Sequence, residues 1–539
     1  MKKNFSFLGL AVMYALQPGH AAAQTALSFG ALGRLFDGSS PSASAPAVSA
    51  APDWTDGARR RVEAALGDEW AIINLNASAL ALATPAQKIS MLKTLIASAG
   101  RNTGGGDGGG DPNALPREQA VYNILGSAKD AADFDYLYYR VEPRGLWQAA
   151  DRRKIKAMVA AQRATAVPGD WEGFGRYVDT VAETKSSGKN QIQFLIDGEG
   201  AIAPITAAIE NANRSIHLEI FQFQPDAIGQ AVANMLSAKA AAGVKVRMMI
   251  DQYGTKPDPE TAAKIDEIFA VLRQAGVQII IPKGTLLNSH LDHRKVLVID
   301  GEVGFTGGMN IGKHYQEDWH DQQTMVIGPA VAKLQEAFVG QWQAAGGTFD
   351  AGENLYPPQP EIPGGSDTRV VSHAGGQDRN IKAAYLRAFL TAQTEIRIAN
   401  PYFVDSDVVA ILSAAAKRGV KVQVIVPEDN DVKIVQRASR AFYPDLIAAG
   451  VEVYEYQGRM AHQKVCTIDG FGVTAGSSNM DARSFVNNDE LNIVMADAKL
   501  AEYVNKHLFD EDLKRSKRIL SYTPTPRERL DRTLLEDML

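Results

Sequence analysis

One stretch of this chain is written twice. His293-Arg294-Lys295-Val296-Leu297-Val298-Ile299-Asp300 reappears as His462-Gln463-Lys464-Val465-Cys466-Thr467-Ile468-Asp469, displaced by 169 residues. The same offset carries Gly307 to Gly476, Asn310 to Asn479 and Asp321 to Glu490. Further echoes lie upstream: Gly243-Val244-Lys245-Val246 matches Gly419-Val420-Lys421-Val422, and Ala275-Gly276-Val277 matches Ala449-Gly450-Val451. Self-similarity of this length means one structural unit built twice. The repeat therefore confines the fold to two similar lobes.

Inside each copy, short β-rich runs alternate with helical segments. The runs fall at 191–196, 215–223, 245–250 and 278–281, then at 369–372, 395–398, 421–426 and 452–456. Strands alternating with helices predict βαβ units and a largely parallel sheet. The lobes are placed at 190–355 and 366–515, with a Pro/Gly-rich break between them and a C-terminal tail at 516–539. Residues 54–185 read as a helical N-terminal region to which the sequence attaches no chemistry. Within it, Thr84-Pro85-Ala86-Gln87 has the order of a capping box, followed by Ile89, Leu92 and Ile96 at helical spacing. The run Gly104 to Asp111 reads as a flexible linker, and the Ala/Ser/Pro-rich stretch 24–53 as a flexible leader. The tyrosine run Tyr136-Leu137-Tyr138-Tyr139 is expected to pack between helices.

Residues 1–23 have the parts of a secretory signal peptide: Lys2-Lys3, an apolar stretch from Phe5 to Leu16, and Ala21-Ala22-Ala23. An exported protein is expected, periplasmic or secreted, with at most peripheral membrane association. Its charge of −6 becomes −8 once Lys2 and Lys3 leave with that segment. Such a balance argues against nucleic acid as a partner, because duplex binding draws on cationic surface. The single cysteine, Cys466, excludes an intramolecular disulfide and a Cys-rich zinc site. It reads as a core residue, as does His217. His290 and His320, which flank the first motif, read as structural or solvated.

The duplicated motif carries the chemistry. In an extended segment alternate side chains share a face, so the His and Lys of each copy project together. Asp-Gly then turns the chain, and the returning strand brings Asn310 or Asn479 to the same end. Two lobes packed face to face would gather two imidazoles, two ammoniums and two amides in one pocket. Two cations and two amide donors suit a phosphodiester whose oxygens gain charge in the transition state. One imidazole can act as nucleophile and the other as acid, then base.

The chain here resembles the phospholipase D superfamily of HKD phosphodiesterases, and more closely the bacterial cardiolipin synthases. Beyond the two motifs, the resemblance rests on Phe305-Thr306-Gly307-Gly308-Met309-Asn310-Ile311-Gly312, Asn400-Pro401-Tyr402-Phe403, Ala416-Lys417-Arg418-Gly419-Val420, and Asn479-Met480-Asp481-Ala482-Arg483-Ser484-Phe485 with Asn488. It covers about 190–515 and leaves 24–180 unmatched. It implies two phospholipase D-like α/β/α lobes, related as a pseudo-twofold repeat and preceded by the helical region. It also implies metal-independent, cofactor-free transfer through a phosphohistidine, with both motifs in one chain so that a monomer suffices.

The implied catalytic residues are His293, Lys295, Asp300, His462, Lys464 and Asp469. His293 would be the nucleophile and His462 the acid/base. Lys295, Asn310, Lys464 and Asn479 would hold the phosphate, and Asp321 and Glu490 would orient the imidazoles. Asp300 and Asp469 also read as supports of the strand and turn. The expected substrate is a glycerophospholipid at a membrane surface, with synthase and hydrolase both open. The competing function is an HKD-type nuclease. Bacterial cardiolipin synthases usually begin with membrane-spanning helices, which this chain replaces with a signal peptide and a helical region.

Overall fold

The computed structural model describes residue 80 and residues 83–99, 117–141, 143–282 and 290–537. The expected signal peptide, the leader at 24–53 and the glycine run lie outside the described residues. The chain divides into two compact units, Met1–Thr165 and Ala166–Leu539. Among the described residues, no helix is long and apolar enough to cross a membrane.

The first unit is helical: α1 Pro85–Ala99, α2 Arg117–Gly126, α3 Ala131–Tyr138, α4 Pro143–Ala149 and α5 Arg152–Arg163. The capping box at α1 is formed, with the Gln87 amide donating to Thr84 Oγ1 at 3.2 Å and the Thr84 amide donating to Gln87 Oε1 at 2.8 Å. Leu92, Leu95, Val121, Ile124, Phe134, Leu137, Leu146 and Ile155 fill the core. The tyrosine run packs onto it, with Tyr136 and Tyr138 partly buried at the edge of that core and Tyr139 buried.

The second unit is built on one continuous 15-stranded sheet. Its first half contains β1 Lys189–Ile196, β2 Ser215–Ile220, β3 Lys245–Ile250, β4 Gln278–Ile280, β5 Lys295–Ile299, β6 Val303–Gly307 and β7 Gln322–Ile327. Its second half contains β8 Ser366–His373, β9 Glu395–Ala399, β11 Lys421–Pro427, β12 Glu452–Tyr456, β13 Val465–Ile468, β14 Gly472–Gly476, β16 Glu490–Ala496 and β17 Ser516–Ile519, while β10 Phe403–Val404 and β15 Met480–Asp481 form a separate pair. From the middle outward the orders are β1-β7-β6-β5-β2-β3-β4 and β8-β16-β14-β13-β9-β11-β12, so the two halves are one topology used twice. They join where β1 pairs antiparallel with β8, Lys189 opposite Asp367 and Asn190 opposite Ser366.

Three expectations are corrected. The sheet is mixed, not largely parallel: only β2-β3-β4 and β9-β11-β12 run parallel, and β5, β6 and β7 and their counterparts are antiparallel. The Asp-Gly turn after each motif folds β5 straight back as β6 and β13 as β14. The helical region also ends earlier than 185. Helix α6, Trp171–Val181, belongs to the second unit, where Trp171 meets Phe471 edge-on at 4.9 Å and Asp179 pairs with Arg369 at 2.7 Å. Residues 516–539 are no tail, since β17 extends the sheet beyond β12 and the helix Pro526–Asp537 pairs Arg532 with Asp445 at 2.9 Å.

Candidate active site

The halves meet at two short backbone bridges, Asp292 with Asp489 and His320 with Ala461. The 169-residue offset turns one bridge into the other, so the repeat is a rotation in space as well as a repetition in sequence. Each motif histidine is pinned there by the opposite half. The His293 amide donates to Asp489 O at 3.0 Å, and the His462 amide to His320 O at 2.7 Å.

The side chains cross in the same way. His293 Nδ1–H donates to Glu490 Oε1 at 3.0 Å, and His462 Nδ1–H donates to Asp321 Oδ2 at 2.7 Å. Each imidazole is thus oriented by a carboxylate from the other half, which fixes its tautomer and leaves Nε2 as the reactive nitrogen. Both histidines, both motif lysines, Asp321 and Glu490 are buried. Lys295 Nζ donates to His293 O and Lys464 Nζ to His462 O, each at 2.6 Å. Lys464 Nζ also stands 2.9 Å from His462 Nε2.

Burial sets the charges. It lowers His293 to a pKa of about 4, with Lys295 and Lys464 opposing protonation and Glu490 favouring it. Burial, then Lys464, Lys295 and His293, push His462 well below its ordinary value. The same desolvation brings Lys295 to about 7 and Lys464 to about 8. A resting site with neutral imidazoles beside two poised ammoniums follows.

The two carboxylates differ. Glu490 accepts from Ser477 Oγ, from Ser484 Oγ at 2.7 Å and from Asn488 Nδ2 at 3.3 Å. Burial alone would raise its pKa, but His293, Lys295 and Ser477 outweigh it and hold the group below its ordinary value. At the corresponding places around Asp321 stand Gly308, Tyr315 and Trp319. A Cβ on Gly308 would lie 2.1 Å from Asp321 Oδ1, so glycine there makes room for the carboxylate. Trp319 and Tyr315 pack instead on the His462 ring, at 4.9 and 5.6 Å between centroids. Desolvation raises Asp321 to about 7. One dyad sits in a polar cradle, the other against an aromatic wall.

Asp300 and Asp469, expected among the catalytic residues, are not in this cluster. Each lies at the far end of its strand, several residues at ~3.3 Å each from its histidine. Asp300 accepts from the amides of Asn213, Arg214 and Ser215 at 2.7–2.9 Å. Asp469 accepts from the amides of Gln393, Thr394 and Glu395 at 2.7–3.1 Å. Both have left-handed backbones, φ 56° and 50°, followed by Gly301 and Gly470 at 69° and 71°. Such turns suit Asp-Gly, and the carboxylates tie the hairpin to the neighbouring strand. Asn310 and Asn479 lie buried just beyond β6 and β14. Asn310 Oδ1 accepts from the Gln222 amide at 3.1 Å, and Asn479 Oδ1 has no protein partner.

His320 proves to be a buried ion-pair centre. It bonds Asp197 Oδ1 through Nδ1 and Asp512 Oδ1 through Nε2, both at 2.7 Å. Burial works against its charge, yet the two carboxylates raise it to about 9. Lone-residue reasoning had no means of finding Asp197 or Asp512, which arrive from 123 and 192 positions away. His290 pairs with Asp489 at 2.8 Å. His217 stacks on Phe338 at 4.8 Å, and Cys466 is fully buried.

Comparison with known proteins agrees with this geometry. A family profile described as "Cardiolipin synthase, PLD-like domain" matches residues 205–342 and 385–513. A probable cardiolipin synthase of Bacillus subtilis is 33% identical over 68% of this chain and 76% of its own length. Cardiolipin synthase A of Pseudomonas putida is 33% identical over 61% of this chain and 70% of its own. Among solved structures, phosphatidylserine synthase of Haemophilus influenzae aligns with a TM-score of 0.52 and 14% identity, over 67% of this chain and 99% of that one. That last likeness speaks to the fold alone.

Proposed function

The chain belongs to the phospholipase D superfamily, in its cardiolipin synthase-like branch, and from that premise we propose that it transfers phosphatidyl groups through a phosphohistidine. The substrate is a glycerophospholipid at a membrane surface, reached by an exported protein that associates peripherally. One chain suffices, because both halves of the site are in it.

The observation that carries this reading is the crossed pairing of His293 with Glu490 and His462 with Asp321. The asymmetry between the dyads favours a division of labour opposite to the one the resemblance implied. His462 faces an ammonium at Nε2 and lies against aromatic rings, conditions under which it stays neutral and keeps a lone pair. It is the nucleophile. His293 is backed by a carboxylate with three further donors, which is suited to support an imidazolium. It is the acid/base.

His293 enters the first step as an imidazolium, having taken a proton from solvent at Nε2 when substrate binds, while Nδ1–H still donates to Glu490. His462 Nε2 attacks phosphorus, the bond from phosphorus to the headgroup oxygen breaks, and His293 gives that Nε2 proton to the oxygen. In the second, His293 Nε2 takes the proton of an acceptor hydroxyl, whose oxygen displaces His462 from phosphorus. Lys295 and Lys464 neutralise the charge on the non-bridging oxygens in both steps. No metal is required for that task.

Synthase and hydrolase differ only in whether the acceptor is a lipid hydroxyl or water. The relatives support a synthase. Against a nuclease stands the charge of 166–539, 38 Lys and Arg against 48 Asp and Glu. Product analysis tests the proposal. With phosphatidylglycerol, cardiolipin plus glycerol is expected. Phosphatidic acid alone would make the protein a hydrolase, and cleavage of DNA without lipid turnover would overturn the lipid reading.

A further inference from the structure

The two units carry opposite charge. Residues 166–539 have ten more acidic than basic residues, whereas residues 24–165, which follow the expected signal peptide, have 16 Lys and Arg against 14 Asp and Glu. An acidic body is repelled by an anionic bilayer, so a protein of this kind needs cations elsewhere to approach one. Helix α5 supplies them in concentrated form. Its sequence, RRKIKAMVAAQR, holds five basic residues and no acid.

The packing of α5 separates two faces. Ile155 and Val159 are buried in the helical core, and Arg152, Arg153, Lys154 and Lys156 are exposed. The Arg153 side chain is 96% accessible. Two of these cations lie over the same indole, Arg152 at 4.1 Å and Lys156 at 5.9 Å from the Trp147 ring, and Lys154 lies 3.7 Å over Tyr122. Tyr122 is itself part of the buried core, whereas Trp147 is half-buried. An indole under two cations matches the boundary between lipid headgroups and acyl chains, where indole rings settle and basic side chains reach phosphates. An isolated anion would need one convergent pocket. These side chains instead spread over a helix face, which fits an extended anionic surface.

We propose that α5 is the membrane-docking face of this protein, and that its partner is an anionic phospholipid bilayer. The proposal rests on the lipid-substrate reading above, but its test does not use turnover. The full chain is floated with vesicles of phosphatidylcholine, with and without phosphatidylglycerol at about one third, and binding is followed as salt rises from about 0.1 to about 0.5 M. The comparison variant carries Arg152→Gln, Arg153→Gln, Lys154→Gln and Lys156→Gln, which preserves helix propensity, with circular dichroism as the check on folding. Should it fail to fold, Arg153→Gln alone, at the most accessible position, replaces it.

Binding that requires phosphatidylglycerol, weakens with salt and falls at least about tenfold in the fourfold variant, or measurably in the single one, is the expected result. Equal binding by a folded variant and the unaltered chain overturns it. So does binding to duplex DNA as tight as to the anionic vesicles. Charge-dependent flotation without lipid turnover would leave the docking face standing and remove the catalytic reading. Turnover with charge-insensitive flotation would do the reverse.

Discussion

The two halves of the sheet share topology, turn chemistry and the motif, yet the environments they build for their carboxylates are opposite. Around Glu490 the equivalent positions are Ser477, Ser484 and Asn488, all donors. Around Asp321 they are Gly308, Tyr315 and Trp319, which give space and aromatic surface. At the backbone crossing, one half places the buried cation His320 and the other the anion Asp489. Duplication thus supplies two imidazoles at matched distances, and substitution around them supplies two different proton affinities. A reaction that needs a nucleophile and an acid in the same instant needs both.

The largest expected effects come from removing the dyads. His293→Ala or His462→Ala should each lower turnover at least ~10²-fold, the contribution of a positioned acid–base group. Retention of near-normal turnover in either variant would end the two-histidine account. Glu490→Gln and Asp321→Asn, which leave both imidazoles in place, test the crossing itself. Each is expected to damage the histidine of the opposite half, Glu490→Gln chiefly through the proton-transfer limb of the pH profile.

Next comes His320. Its folded pKa of about 9 exceeds the ordinary 6.5, so its stabilisation is complete below pH 6.5 and is lost as pH rises through 9. His320→Gln leaves the buried Asp512 without its cation, while the half-buried Asp197 keeps only the Arg459 cation at 3.0 Å, and should cost about 3–5 kcal/mol. Thermal denaturation between pH 6 and 10 would show the unaltered chain losing stability as pH rises, and the variant losing far less. A parallel decline in both would remove the ion-pair assignment.

A smaller effect belongs to the lysines. Burial leaves Lys295 near 7 and Lys464 near 8, so both lose charge as pH rises through that interval. The value of kcat/KM should fall above about pH 8, because it reports the free enzyme. A profile flat to pH 10 would contradict this. Smallest in catalysis is Asp300→Asn. It should cost about 1–3 kcal/mol of stability through weakened bonds to three amides, with kcat little changed. A loss of turnover like that of the histidine variants would return Asp300 to the active site.

Much of this was legible in the sequence, because the repeat compares the chain with itself. Strand positions, the turn after each motif and the cluster of His293, His462, Lys295 and Lys464 all follow from spacing and alternation. The pairing of Glu490 with His293 rather than with the histidine of its own half was not legible. Spacing says which residues share a strand end and is silent on how two halves rotate together. Asp300 and Asp469 were drawn into the catalytic set by the motif's letters, although a strand's rise carries them to the opposite end of the sheet. The hairpin after each motif is legible from Asp-Gly, but alternation of strand and helix does not show that β5 and β13 lie antiparallel to β2 and β9, which makes the sheet mixed.

The division of labour between the dyads can be tested on a single peptide. The His293→Asn chain, given a phosphatidyl donor whose headgroup leaves without needing a proton, should accumulate a phosphatidyl adduct that mass spectrometry places on His462. An adduct elsewhere, or a His462→Asn chain that instead accumulates one on His293, would contradict the account.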